Sequence, residues 1–263
     1  MQVITSKDNE IIKNIKKLKD KKFRDQEHKY MIEGIKLIEE AVKESAKINT
    51  VVVCEDCVEN EEIDSKLLYE VAKYNCIYVS ERVFSLLTDV KNPQGILAVI
   101  EKEAEQDQID YNEDLIVVLD KVQDPGNLGT ILRTVDSIGL KQIVVAEGSG
   151  DIFNPKVVRS TMGAIFRVKV KISQDIQKTI SEIKKHKFKV VSTSLATDKS
   201  IYDIEYEKSA IIIGNEANGV SKELQAASDE LVKIPMLGNT ESLNASVATG
   251  IVLYEYVRQK LGK

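Results

Sequence analysis

Three short stretches of this chain hold polar side chains at spacings that packing does not explain. The first is Asp124-Pro-Gly-Asn127-Leu-Gly129, which runs on to Arg133 and Thr134. It leaves an apolar run through a Pro-Gly turn and enters a helical pattern whose buried stripe is Leu128, Ile131, Leu132, Val135 and Ile138. Asn127 falls at or next to the N-cap, and Arg133 falls off the stripe. The second is Gly214-Asn215-Glu216-Ala-Asn218-Gly219, directly after Ile211-Ile-Ile213. Glycine at a strand's carboxyl end lets a ligand lie against backbone amides, and a carboxylate beside it serves no core. The third runs from Lys233 through Ile234, Met236, Ser242, Leu243, Asn244 and Ser246. Helix capping needs one such polar residue rather than three. A helix N-terminus at the carboxyl end of a parallel strand is where α/β folds bind anions and ligands.

The elements around these stretches read as buried parallel strands: Leu115–Leu119, Gln142–Ala146, Lys189–Thr193 and Ala210–Ile213. Asn154-Pro155 reads as an N-cap followed by proline at the first helical position. A long terminal helix is expected from Leu243 to Leu261, with Tyr254, Val257 and Leu261 extending its apolar surface toward a second copy. Ahead of these, short β-rich runs and helices alternate over the first hundred residues, as in a small α/β domain. The acidic stretch 101–113 reads as a linker between an N-terminal domain, 1–100, and a C-terminal one, 114–263.

The net charge of −5 conceals a positive start. Residues 1–36 carry ten Lys/Arg against six Asp/Glu, and residues 37–100 six against twelve. Lys16, Lys17, Lys21 and Lys22 surround the helically spaced Ile11, Ile12, Ile15 and Leu18, so a polyanion partner fits this region. No apolar run approaches a membrane span, and the first residues lack a signal-peptide core. Three cysteines suit a reducing cytoplasm. Cys54-x-x-Cys57 lacks further ligands at zinc spacing, so no metal is expected and the cysteines read as inert. Gly148-Ser-Gly150 lacks the third glycine of a dinucleotide fingerprint, and no P-loop is present.

Taken in order, Asp124-Pro-Gly-Asn127-x-Gly129-x-x-x-Arg133, Gly214-Asn-Glu216-x-x-Gly219 and Ser242-Leu-Asn244-x-Ser246 resemble the motifs of the SpoU/TrmH family of RNA ribose methyltransferases. The segment from Asn154 through Arg159 to Gly163 is similar to that family's intermediate stretch, and Glu33-Gly34 and Pro93-Gln94-Gly95 to markers of a substrate-binding module often fused in front. The resemblance implies a trefoil-knotted α/β methyltransferase domain with a parallel sheet, preceded by a smaller ribosomal-protein-like α/β domain. It implies S-adenosylmethionine as cofactor, a homodimer, and methyl transfer to a ribose 2′-OH of structured RNA, with ribosomal RNA favoured. Transfer RNA, or a non-catalytic ribosome-assembly role, are the alternatives. By the same resemblance Asn127, Arg133, Glu216, Ser242 and Asn244 fall at positions of catalysis or substrate orientation. Thr193, Ser194, Leu195, Gly214, Asn215, Ile234, Met236, Leu243 and Ser246 fall at or beside cofactor positions, and Arg159 joins the lysines as an RNA contact. A guanidinium pKa above about 12 argues against Arg133 as a free base and for a bidentate clamp on the adjacent phosphate. Glu216 is expected to orient that guanidinium or a neighbouring amide.

Overall fold

The computed structural model describes residues 3–60, 62–102 and 108–262. Of the acidic linker, residues 103–107 lie outside the described residues. The chain divides into two compact units, Met1–Ala104 with Asp151–Phe166, and Glu105–Gly150 with Arg167–Lys263. Residues 151–166, within the C-terminal domain by sequence, are thus built into the first unit.

The first unit contains β1 (Val3–Ile4), α1 (Glu10–Lys17), α2 (Lys21–Glu27), β2 (Lys29–Glu33), α3 (Ile35–Lys43), β3 (Ile48–Cys54), α4 (Glu55–Glu59), α5 (Ser65–Val71), β4 (Cys76–Val79), α6 (Glu81–Leu87) and β5 (Ile96–Glu101). Its strands form a mixed sheet in the order β1-β4-β3-β5-β2, with β5 antiparallel to both neighbours. The basic N-terminal stretch is two helices rather than one. Leu18 closes the first, and Asp20 caps the second by accepting the Lys22 amide at 2.9 Å. Ile12, Ile15 and Leu18 are buried as their spacing requires, whereas Ile11 is exposed. Burial, with Cys54 and Glu62 nearby, pushes the Cys57 thiol up to about 12, which keeps it an unreactive thiol.

The second unit contains β6 (Leu115–Leu119), α7 (Pro125–Ser137) and β7 (Gln142–Ala146) before the chain passes through α8 (Pro155–Ser160) of the first unit. It resumes with β8 (Lys169–Ser173), α9 (Ile176–Lys185), β9 (Lys189–Thr193), β10 (Ser209–Ile213), α10 (Lys222–Ala227), β11 (Glu230–Val232) and α11 (Ala245–Leu261). Six strands form one wholly parallel sheet, in the order β11-β9-β10-β6-β7-β8. β6, β7 and β10 are buried at every position, which is why they read as unbroken apolar runs.

The segment 151–166 joins the first unit through both apolar and charged groups. Val158 is fully buried in a cluster with Tyr30, Leu37 and Ile38, and Phe153, Ile165 and Phe166 pack against it. Asn154 caps α8 by accepting the Lys156 amide at 2.9 Å, with Pro155 at the first position, as the dipeptide implied. Beside it, the Arg24 guanidinium, 2% exposed, donates to Asp151 from Nε (3.1 Å) and Nη2, and to the carbonyls of Leu18 and Lys19 from Nη1.

Candidate active site

Parallel pairing fixes where the loops of the second unit emerge. Ile213 lies opposite Leu119, Ile212 opposite Ser192, and Val232 opposite Thr193. The loops 120–124, 194–200, 214–221 and 233–244 therefore leave the same, carboxyl edge of the sheet.

In the first loop Asp124, not Asn127, caps α7. Its Oδ1 accepts the Asn127 amide at 2.9 Å, and Pro125 takes the first helical position. Asn127 is thus the third residue of the helix, and its side chain is free for other work. Leu128, Ile131, Leu132 and Val135 are fully buried, whereas Ile138 lies past the helix end as its C-cap.

The second loop is closed on itself. Asn215 and Gly219 exchange both backbone hydrogen bonds, at 3.1 and 2.9 Å. This turn passes so close to Gly214 that an added Cβ would fall 2.0 Å from the Gly219 carbonyl carbon, so only glycine fits. The Asn215 side chain ties the turn inward, with Oδ1 accepting the Ala217 and Asn218 amides and Nδ2 donating to the Lys121 carbonyl at 2.9 Å. The buried Asp120 carboxylate accepts the Ser221 amide at 2.7 Å.

Glu216 joins the first and second loops. Its Oε1 accepts the Asp124 amide (3.0 Å) and Asn127 Nδ2 (2.9 Å), and its Oε2 accepts the Gln123 amide (3.1 Å). Burial pushes the carboxyl up, but the bonds from Asn127 and the Gln123 and Asp124 amides outweigh it and hold it below its usual range. An anion tied this way is an anchor rather than a proton acceptor near neutral pH. The third loop completes the string. Asn244 Nδ2 donates to Asn127 Oδ1 at 2.9 Å, while Asn244 Oδ1 caps α11 by accepting the Ser246 amide and hydroxyl at 2.9 and 2.7 Å.

Glu216, Asn127 and Asn244 thus form one hydrogen-bonded series across three loops, and Asn215 and Ser246 brace its ends. Arg133 is not part of it. It lies six residues beyond Asn127, about 9 Å along the helix axis, is exposed, and has no hydrogen-bond or ion-pair partner among the described residues. Of the two expectations for Glu216, the structure has it orient an amide, that of Asn127, and not the guanidinium. Ser242 is exposed and makes no hydrogen bond among the described residues.

Of the residues expected at or beside a cofactor, Thr193 Oγ1 donates to the Ile212 carbonyl and Ser194 Oγ to Gln225 Oε1. Leu195 is 66% exposed, and Ile234, Met236 and Leu243 are partly buried. Among the described residues, none from Ile234 to Leu243 forms a hydrogen bond, and Pro235 and residues 237–242 are exposed. Leu237 on this loop is fully exposed. Free backbone groups combined with apolar side chains fit a ligand that is part adenosine and part methionine chain. Asp120, Lys121 and Gln123 also build the site and were not singled out from sequence. They lie on the Asp124 side of a motif whose polar residues cluster after the turn. In the first unit Lys16 and Lys17 are on α1 and Lys21 and Lys22 on α2, with Lys17 and Lys22 both 5.9 Å from the Phe23 ring. Arg159 stands 3.9 Å from Glu33. No group of three or more His, Cys, Asp or Glu side chains converges as for a metal among the described residues.

Residues 114–254 match the SpoU rRNA Methylase family, and residues 9–98 match the MRM3-like substrate binding domain. The sheet, its converging loops and these matches define the class, an RNA methylase domain preceded by a substrate-binding domain. The chain belongs to the SpoU rRNA Methylase family. It is 33% identical over 255 residues to the 23S rRNA (guanosine(2553)-2′-O)-methyltransferase RlmP of Bacillus subtilis strain 168, covering 97% of this chain and 98% of that one. Among solved structures, the AdoMet-bound rRNA methyltransferase of Sinorhizobium meliloti is 32% identical over 98% of both chains, with a TM-score of 0.84. The SpoU methyltransferase AviRb of Streptomyces viridochromogenes, in complex with AdoMet, has a TM-score of 0.85 at 25% identity, covering 96% of this chain and 98% of that one.

Proposed function

We propose that this chain transfers the methyl group of S-adenosylmethionine to a ribose 2′-OH in ribosomal RNA. The observation that carries the reading is the Glu216–Asn127–Asn244 series at the carboxyl edge of the parallel sheet. The relatives named above support ribosomal over transfer RNA, and the intact series speaks against a non-catalytic role. The trefoil knot follows from family membership.

When bound, the cofactor supplies a sulfonium methyl, an electrophile that needs no metal. The residues have to hold the ribose oxygen in line with it and let its proton leave, which is mainly a matter of proximity and orientation. Gly214, Asn215, Ile234, Met236 and Leu243, with Thr193, Ser194 and Leu195, form the cofactor face. Asn127, held by Glu216 and Asn244, fixes the relation of that face to α7, and Ser242 and Ser246 shape its entrance. Arg133, unpaired among the described residues, clamps the RNA phosphate next to the reacting ribose, and that phosphate takes up the proton. The lysines of α1 and α2, with Arg159, hold RNA on the first unit.

The functional form is a homodimer. Val247, Tyr254 and Leu261 are 51%, 53% and 82% exposed and recur every seven residues along α11, which sets them on one face. Val257, also expected there, is partly buried. Among the described residues no helix is long and apolar enough to cross a membrane, and ribosomal RNA as the substrate supports a cytoplasmic enzyme.

The test is transfer of labelled methyl from S-adenosylmethionine to ribosomal RNA taken from cells lacking the protein, followed by mapping of the labelled ribose. Arg133→Ala should lower the rate about 10²–10³-fold, as loss of one transition-state donor does, with cofactor affinity retained. Arg133→Lys should be nearly as slow, because a point charge cannot replace a bidentate fork. Absence of ribose label in any ribosomal RNA would overturn the proposal.

A further inference from the structure

Within the second unit, the loops leaving the carboxyl ends of the six strands carry three cations, Lys121, Lys199 and Lys233. Two are spent internally: Lys199 Nζ lies 2.7 Å from Glu230 and Lys233 Nζ 2.9 Å from Asp198. Among the described residues, the Lys121 side chain has neither an ion pair nor a hydrogen bond. Acids are within the same loops, at Asp124, Glu147 and Glu216, yet none pairs with it.

Its backbone explains how it is presented. Lys121 is left-handed, with φ +55°, and its carbonyl accepts Asn215 Nδ2 at 2.9 Å. The side chain then runs over Gly148, where an added Cβ would lie 3.8–4.0 Å from its Cγ, Cδ and Cε. Lys187 and Lys208 share this conformation (φ +65° and +48°) in turns at the opposite edge. Conformation alone therefore does not mark Lys121, and its position does.

Strand order gives that position meaning. The cofactor face lies on the loops of β9, β10 and β11, all on one side of β6. On the other side of β6 is β7, whose loop 147–150 is fastened to the first loop by Gln123 Nε2 on the Gly148 carbonyl and by the Gly150 amide on the Val122 carbonyl at 2.9 Å. With one flank given to the cofactor, the nucleic acid has the β6–β7 flank, and among the described residues of its two loops Lys121 is the unpaired cation, with Arg133 on α7 between these strands.

We infer that Lys121 pairs with a backbone phosphate of the substrate RNA on the β6–β7 flank, beside the ribose that is methylated. The inference rests on the methyltransferase reading. An RNA strand brought to an edge lined by Asp124, Glu147 and Glu216 meets repulsion that one uncommitted ammonium offsets, and releasing a counterion makes the contact salt-dependent.

The informative variant is Lys121→Gly. Glycine is at ease at φ +55° and retains the carbonyl that Asn215 uses, so loss of fold does not cloud the result. RNA KM and RNA affinity against salt are measured with ribosomal RNA from cells lacking the protein, together with S-adenosylmethionine affinity. For Lys121→Gly, RNA KM should rise about three- to tenfold and the slope of log affinity on log salt should fall by about one. Cofactor affinity should hold, and Lys121→Arg should recover most of the loss. A wild type that methylates RNA, with Lys121→Gly matching its KM and slope, overturns this inference alone. A wild type that methylates no RNA overturns the methyltransferase reading and this inference with it.

Discussion

Asp151 and Glu216 are two of the carboxylates that tie down chain segments, and they are held in opposite ways. Asp151, in the first unit, is met by a buried guanidinium that also satisfies two carbonyls. Glu216, in the second, is met by two backbone amides and the side-chain amides of Asn127 and Asn215, with no cation among the described residues. An ion pair withdrawn from water punishes any separation, because each charge left alone is costly. An amide cradle at an exposed edge costs less to open, since water replaces the donors. The first arrangement suits a permanent joint, and the second suits loops that must be placed closely and still admit ligands.

The largest expected effect follows from the joint. Arg24→Ala leaves Asp151 without its cation in a nearly buried place and should cost about 3–5 kcal/mol of stability, read by urea unfolding. Arg24→Met combined with Asp151→Leu should recover most of that, as apolar replacement of buried pairs often does. A loss below about 1 kcal/mol, the value of a surface pair, would erase the distinction drawn between the two carboxylates.

Glu216 should show the reverse balance. Glu216→Ala should shift the melting temperature little but lower methyl transfer about 10²-fold, the cost of displacing reacting groups by about 1 Å. Its pH dependence has a definite sign. The folded carboxyl titrates below its usual range, so its stabilising contribution is complete above that range and is lost only as pH falls through the lowered value. Cofactor affinity should therefore hold steady from pH 7 down to about 5. A fall in that window that Glu216→Gln removes would show the carboxylate titrating above its usual range, with burial outweighing the cradle.

The two regions also differ in how much of them could be read from the sequence. Asn127, Glu216 and Asn244 became candidates because their motifs, taken in order, resemble those of the SpoU/TrmH family, and the structure joins the three by hydrogen bonds. The buried strands β6, β7, β9 and β10 were equally plain, because unbroken apolar runs have few other uses. β8, with the sequence Lys-Val-Lys-Ile-Ser, gave no such signal. It is an edge strand with only Ser173 buried, and lysines are common on such edges. α9 and α10 went unassigned for a related reason, as they bury only Ile180, Ile183 and Leu224. Nothing in Arg24 or Asp151 marks them as partners 127 residues apart. A charged residue on a short helix reads as solvated until the fold removes the water. The assignment of α8 to the first unit is the same kind of fact, set by where Val158 and Phe153 find apolar company.

The smallest expected effect concerns four exposed lysines that form no ion pair among the described residues. Lys16, Lys17, Lys21 and Lys22 lie on α1 and α2, and all four are exposed. Their folded-state roles are slight: Lys17 Nζ donates to Asn14 Oδ1 at 3.0 Å, and Lys17 and Lys22 approach Phe23 at the outer limit of a cation–π contact. Changing all four to Gln should accordingly leave unfolding within about 0.5 kcal/mol of wild type, the usual range for surface substitutions. If each neutralises one phosphate, the slope of log RNA affinity on log salt should fall by roughly 0.7–0.9 per lysine, so the variant binds less tightly at low salt and the two lines draw together at high salt. Cofactor affinity should not change, because these lysines and the cofactor face belong to separate units. Lines of equal slope and intercept would instead mean that the basic helices are merely solvated. RNA recognition would then have to rest on Arg133, Lys121 and the remaining surface.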